Sequence, residues 1–263
     1  MHRCISSIST LLCRSEWGVL VELLPPKRMG FHCNDPALSH TFSGDTISWK
    51  WLLGISAFLP LIMMLIAEKK FHPENVSGKS INNIRALNWY KEYLFGLLLN
   101  LVLVQMLKML VGAPRPHFFD SCRPEEALTC KDSEYVNIYK CTQANWMHEA
   151  NKSFPSGHSS LAVYAGLFLI WYIHTRKPDL SGYKSTLVWK LQVLCLILTV
   201  LCCISRIYDH RHHWWDVLTG ASIGVAVLVY TESAPSYTMV KNGLAYFNKD
   251  ERAVKMILAQ GVL

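Results

Sequence analysis

The sequence predicts an all-α protein embedded in a membrane as a bundle of helices. Three observations carry that expectation. The 263 residues are 51% hydrophobic and only 17% charged, whereas a soluble domain usually runs near ~25% charged. Mean hydropathy is positive, at +0.18. Five apolar stretches reach or approach the ~20 residues that a spanning helix needs, more than one small soluble core could bury. The composition excludes disorder and collagen-like repeats. The net charge of +7 comes from 26 basic against 19 acidic residues. No basic run is long enough to be a nucleic-acid footprint, so no nucleic-acid partner is expected.

The five stretches are residues 47–67, 93–112, 159–174, 187–204 and 217–230, the last short enough that its helix is expected to start earlier. Residues 1–27 read as a weak or missing span. Segment 5–24 carries Arg14, Glu16 and Glu22, and a charge at mid-membrane costs about 2.5–3.5 kcal/mol on insertion scales. Its apolar run is also too broken for a signal peptide. Residues 28–232 form the membrane-embedded domain, and 233–263 read as a polar cytosolic tail.

Loop charge orients the bundle. Lys69, Lys70, Lys79, Arg85 and Lys91 mark loop 68–92; Arg176, Lys177 and Lys184 mark loop 175–186; Lys241, Lys249, Arg252 and Lys255 mark the tail. The positive-inside rule places these in the cytosol. Loops 113–158 and 205–216 then face the outside or a lumen. Cys33, Cys122, Cys130 and Cys141 fall on that side. Four thiols allow three pairings, and the spacing does not choose among them. Asn151-Lys152-Ser153 is a glycosylation sequon on the same side, so Asn151 is a candidate site. Asn75-Val76-Ser77 lies on the inner side.

Three polar clusters flank the spans. Lys108 stands in apolar surroundings, with Arg115-Pro116 following. Seven positions is nearly two helical turns, so the cations share a face if the helix persists; Pro114 instead leaves Arg115 on a loop. The bland reading of Lys108 is a snorkelling interface lysine. Pro155-Ser156-Gly157-His158 directly precedes a span. Ser156 and Gly157 then sit at a helix start, whose N–H groups suit an anion; the bland reading is a simple N-cap. The third cluster is Ser205 to Asp216, SRIYDHRHHWWD. His212 and Asp216 are four apart, hence neighbours on a helix face. A carboxylate on one imidazole nitrogen leaves a lone pair on the other. Zinc on His210, His212 and His213 competes, but the ligand spacing is wrong.

Together the clusters supply cations (Lys108, Arg115, Arg206), backbone donors and two histidines on one side of the membrane. That is phosphate chemistry. No Gly-rich phosphate loop and no carboxylate cluster for Mg²⁺ accompany it. Metal-free phosphoryl transfer through a phosphohistidine uses every part.

KMLVGAPRP (108–116), PSGH (155–158) and SRIYDHRHHWWD (205–216) resemble the three signature motifs of the type 2 phosphatidic acid phosphatase superfamily, in order and spacing. Gly30 to Asp35, Asp45-Thr46-Ile47 and His212 to Gly220 resemble its lipid phosphate phosphatase branch. The resemblance implies His212 as nucleophile, Asp216 as its orienter and His158 as acid and base. It implies Lys108, Arg115, Ser156, Gly157 and Arg206 as the phosphate cradle. It implies no metal and no cofactor. The expected partners are the membrane and lipid phosphates within it: phosphatidate, lysophosphatidate, sphingosine 1-phosphate and ceramide 1-phosphate. The expected site is extracellular or luminal, at the plasma membrane first and an endomembrane otherwise, with homo-oligomerisation left open.

The family pattern has six spans, so the poor segment 5–24 is a departure. It motivates an alternative: a catalytically inactive variant acting as a lipid-binding or oligomerisation partner. A second alternative is a luminal sugar phosphatase of the same superfamily.

Overall fold

The computed structural model describes residues 27–71, 79–143, 149–176 and 183–233. The weak first span and the cytosolic tail therefore lie outside the described residues. The five apolar stretches all form helices: α1 (Trp49–Phe71), α2 (Lys79–Val111), α4 (Gly157–Thr175), α5 (Tyr183–Tyr208) and α6 (Trp214–Ser233). A short α3 (Phe118–Cys122) and a two-stranded sheet of β1 (Phe31–His32) and β2 (Tyr135–Val136) lie between α2 and α4 or before α1. As expected, α6 starts before residue 217.

Four of the five long helices, all but α4, are apolar and long enough to cross a membrane. α4 is richer in Ser, His and Tyr. It packs along α5 and against α1, so much of its surface faces protein rather than lipid. At 1.5 Å per residue, the 33 residues of α2 span about 50 Å, more than the ~30 Å apolar core. The surplus corrects one boundary: Arg85 and Lys91, expected on a loop, lie on the first half of α2. Exposed aromatics mark helix ends, with Trp49 and Trp51 on α1, Tyr208 on α5, and Trp214 and Trp215 on α6. Such rings suit the membrane–water boundary.

The described chain divides into two compact units. The second comprises residues 45–104, 156–208 and 217 onward. Its core is built from Leu52 and Met64 of α1, Trp89, Tyr93 and Leu97 of α2, Leu161, Tyr164, Phe168 and Tyr172 of α4, and Val227 and Leu228 of α6. Pro60 lies inside α1. It has no N–H and cannot bond the carbonyl four residues back, that of Ser56. Tyr93 of α2 donates to that carbonyl at 2.6 Å, and Tyr90 donates to Ala57 O at 2.9 Å. A backbone carbonyl left bare in the membrane costs several kcal/mol, so the Tyr93 phenol makes the proline tolerable. Further along, Glu68 of α1 is fully buried, accepts from Tyr172 at 3.1 Å and pairs with Arg176.

The first unit comprises the described residues of 27–44, 105–155 and 209–216. β1 and β2 pair antiparallel, Phe31 opposite Val136. Phe31 packs with Phe118, Phe119 and Tyr139 at ring separations of 5.3–5.4 Å. Two disulfides close this small aromatic core, Cys33–Cys130 and Cys122–Cys141. They select one of the three pairings the sequence left open. Small domains with little core depend on such links.

Candidate active site

α2 ends after Val111 because Gly112 takes a left-handed φ of +62°, with its N–H bonded to Lys108 O at 3.1 Å. This is a glycine C-terminal stop. A side chain there would also collide with the Lys27 carbonyl. Lys108 thus occupies the last turn and Arg115 the loop, the second of the two arrangements the spacing allowed. Lys108 feels the charges of Arg115, Lys152, Arg211 and Glu149.

Arg115 is buried, at 4% exposure. Its Nε donates to Glu149 O at 2.8 Å, and its Nη2 lies 3.4 Å from Glu149 Oε2. Lys152 Nζ lies 3.1 Å from the other carboxylate oxygen. Burial by itself would raise the Glu149 pKa, but the Arg115 and Lys152 cations outweigh it and hold the carboxyl at about 2.

His117 is fully buried and feels the charges of Arg115 and Arg211. Ser121 Oγ donates to His117 O at 3.0 Å, so it accepts from His117 Nδ1 at 3.2 Å. The Nε2 lone pair then receives Arg211 Nη1 at 3.4 Å. Arg211 also lies over the Phe42 ring, 5.0 Å from its centroid. Burial and the charges of Arg115 and Arg211 push His117 down to about 3, so it stays neutral at physiological pH.

His212 is 3% exposed, and its Nδ1 lies 2.6 Å from Ser153 O. A carbonyl only accepts, so Nδ1 carries a proton, and in the neutral ring Nε2 keeps its lone pair. Asp216 Oδ2 is 3.9 Å from Nδ1, beyond hydrogen-bond reach. It instead accepts from Ser153 Oγ at 2.6 Å and from His213 N at 2.9 Å. The carboxylate lies beside the histidine, but not through helix spacing: α6 starts at Trp214, so His212 precedes the helix that carries Asp216, and Ser153 makes the direct bond.

The second unit holds the rest. Ser156 is the N-cap of α4, its side chain accepting from Ser159 N, and Gly157 and His158 open the first turn. His158 Nε2 donates to Ile47 O at 3.0 Å, and Trp49 packs edge-on at 5.5 Å. Gly220 and Gly224 of α6 let its backbone approach the Ser156 and Ser160 carbonyls, the close packing that small residues permit between membrane helices. Arg206, in the last turn of α5, is 1% exposed. Its Nη1 donates to Asp45 Oδ1 at 3.0 Å and its Nε to Ser205 Oγ at 3.1 Å.

The first unit thus carries Lys108, Arg115, His212 and Asp216, and the second carries Ser156, Gly157, His158 and Arg206. Asn151 is buried at 4% exposure, its Oδ1 accepting from Tyr139 at 2.9 Å. His210, from the zinc alternative, stacks on His40 at 4.1 Å. Among the described residues, no group of three or more His, Cys, Asp or Glu is arranged to hold a metal ion.

The comparisons with known proteins bear on this arrangement. The PAP2 superfamily model matches residues 89–239, more than half the chain. The chain belongs to the PAP2 superfamily. The match contains PSGH, SRIYDHRHHWWD and the whole of KMLVGAPRP. A Drosophila melanogaster protein named "Putative phosphatidate phosphatase" is 30% identical over 96% of this chain and 73% of its own length. Mouse phospholipid phosphatase 1 is 31% identical over 84% of this chain and 80% of its own length. Mouse phospholipid phosphatase 2 is 27% identical over 81% and 78%. No solved structure matches. This PAP2 chain is a multi-pass integral membrane protein and an enzyme of the phosphatase class.

Several residues around the PAP2 motifs were not singled out from the sequence. Ser153 stands just before PSGH, and Arg211 stands inside the third motif, so each had a positional signal. Asp45 lay in the branch-specific segment without an assigned role. Glu149 and His117 had no signal, because the guanidinium partner of each, Arg115 and Arg211, is distant in sequence.

Proposed function

We propose that this chain removes phosphate from lipid phosphate monoesters, among them phosphatidate, lysophosphatidate, sphingosine 1-phosphate and ceramide 1-phosphate. The reading places the reaction at the extracellular or luminal face, by the loop-charge argument, with the plasma membrane as the first location. The observation that carries it is His212. Its Nδ1 proton is committed to Ser153 O, which leaves Nε2 as a nucleophile in a unit that also carries Lys108, Arg115 and Arg211.

In this mechanism the Nε2 lone pair attacks phosphorus. An N–P bond forms as the P–O bond to the lipid breaks, and His158 gives its proton to the leaving alkoxide. Water then attacks phosphorus, His158 takes the water proton, and the N–P bond breaks to release inorganic phosphate. Acceleration of phosphate monoester hydrolysis reaches ~10²¹, whereas acid–base catalysis supplies about 10²–10⁴. Lys108, Arg115, Arg206 and the N–H groups at Ser156 and Gly157 carry much of the remainder by stabilising the equatorial oxygens. The inactive-variant reading gains nothing, since every motif residue is present and His212 is oriented.

The test is phosphate release from phosphatidate in detergent micelles with EDTA, for the wild type and His212→Ala. Activity that survives EDTA and disappears with His212 supports the proposal. A folded wild type without activity, or activity retained in His212→Ala, overturns it.

A further inference from the structure

We propose that Ser153 is a positioning residue for His212, and that Asp216 acts on the nucleophile through it. The inference rests on the histidine phosphatase reading and names how its nucleophile is held. Ser153 is fully buried, and each of its polar groups is engaged. Its N–H donates to Ala113 O at 3.0 Å, just past the end of α2. Its carbonyl accepts from His212 Nδ1 at 2.6 Å. Its hydroxyl donates to Asp216 Oδ2 at 2.6 Å. The peptide plane that aims the carbonyl is thus anchored at two points, one of them the carboxylate.

The direct alternative fails on distance. Asp216 Oδ2 is 3.9 Å from Nδ1 and already receives the Ser153 hydroxyl and His213 N–H. A histidine with no acceptor on Nδ1 would divide between two tautomers, and only the Nδ1–H form offers an Nε2 lone pair. When Nε2 forms its bond to phosphorus, the ring gains positive charge. The Nδ1–H···O=C bond then strengthens, and the nearby carboxylate favours the charged ring.

Ser153 is also the third residue of the Asn151 sequon, which shapes the test. Ser153→Ala removes both the hydroxyl and the sequon. Enzymatic removal of any N-glycan from the wild type tests the sequon alone, since Asn151→Gln would also break the buried bond to Tyr139, and Ser153→Thr keeps both. In Ser153→Ala, kcat should fall about 10- to 100-fold, the effect of one charge-assisted hydrogen bond. KM should change little, and the acidic limb of the pH–rate profile should move. Ser153→Thr should recover most of kcat, and deglycosylation should leave kcat unchanged. A second readout needs no turnover: ring ¹⁵N shifts of ¹⁵N-histidine-labelled protein, with His212 assigned through His212→Ala. The wild type should show the Nδ1–H tautomer, and Ser153→Ala a mixture. Where Ser153→Ala does not fold, Ser153→Cys keeps the shape with a weaker donor and should shift both readouts the same way. A folded Ser153→Ala with wild-type kcat, pH profile and tautomer overturns the inference. So does a deglycosylated wild type that reproduces its loss. A wild type that shows the Ser153-dependent tautomer but releases no phosphate overturns the phosphatase reading and leaves the positioning role standing.

Discussion

Asp45 Oδ1 accepts from Arg206 Nη1 at 3.0 Å, so a carboxylate on the approach to α1 holds a cation in the last turn of α5. Arg115 is held in a similar way by Glu149. In both cases a carboxylate fixes a guanidinium, which under the proposed function would lower the ordering cost of binding phosphate.

Asp45→Asn keeps an acceptor and removes the charge, while Arg206→Lys keeps the charge and loses the fork. Both should lower kcat/KM, about 10- to 100-fold for the lysine variant, because a point charge does not replace a planar fork. Steady-state kinetics with a short-chain phosphatidate check this. Equal activity of Arg206→Lys and wild type would contradict it.

Tyr93→Phe should destabilise the second unit by about 1–3 kcal/mol, because the Ser56 carbonyl opposite Pro60 loses its donor. Pro60→Ala restores a backbone N–H to that carbonyl. The double variant should therefore be less destabilised than the sum of the singles. Thermal unfolding in detergent reads the cycle.

Gly220→Ala places a Cβ against the Ser156 carbonyl, and backbone cannot yield as a flexible side chain can. We expect a loss of about 1–3 kcal/mol and a fall in activity, since the displaced residue caps the helix that carries His158. Gly54→Ala, where nothing lies within 4 Å of the new atom, is the control and should leave melting unchanged.

Two acid-sensitive windows should separate. His117 titrates near 3 in the folded chain, against an ordinary 6.5. The unfolded chain binds the extra proton between these values, so stability is full above ~6.5 and declines as pH falls toward ~3. Glu149 titrates near 2 against 4.5. Its contribution is full above ~4.5 and declines toward ~2. Melting temperatures across pH should show His117→Gln flattening the upper window and Glu149→Gln the lower.

Residue chemistry along the chain was enough for the membrane class, the five helices and the family. Each of those signals is local: an apolar run of a given length, three motifs of fixed internal spacing. The same locality keeps His212 near Asp216, four residues apart across the start of α6. Tertiary structure alone decided what lies across the chain. It chose Cys33–Cys130 and Cys122–Cys141, because pairing depends on which Cβ atoms meet in space. It inserted Ser153 between His212 and Asp216, paired Arg206 with Asp45, and brought Tyr93 to the carbonyl that Pro60 left bare. Those partners come from segments that are distant in sequence. Hydrophobic periodicity reports which face of a helix is covered, and carries no information about which residue covers it.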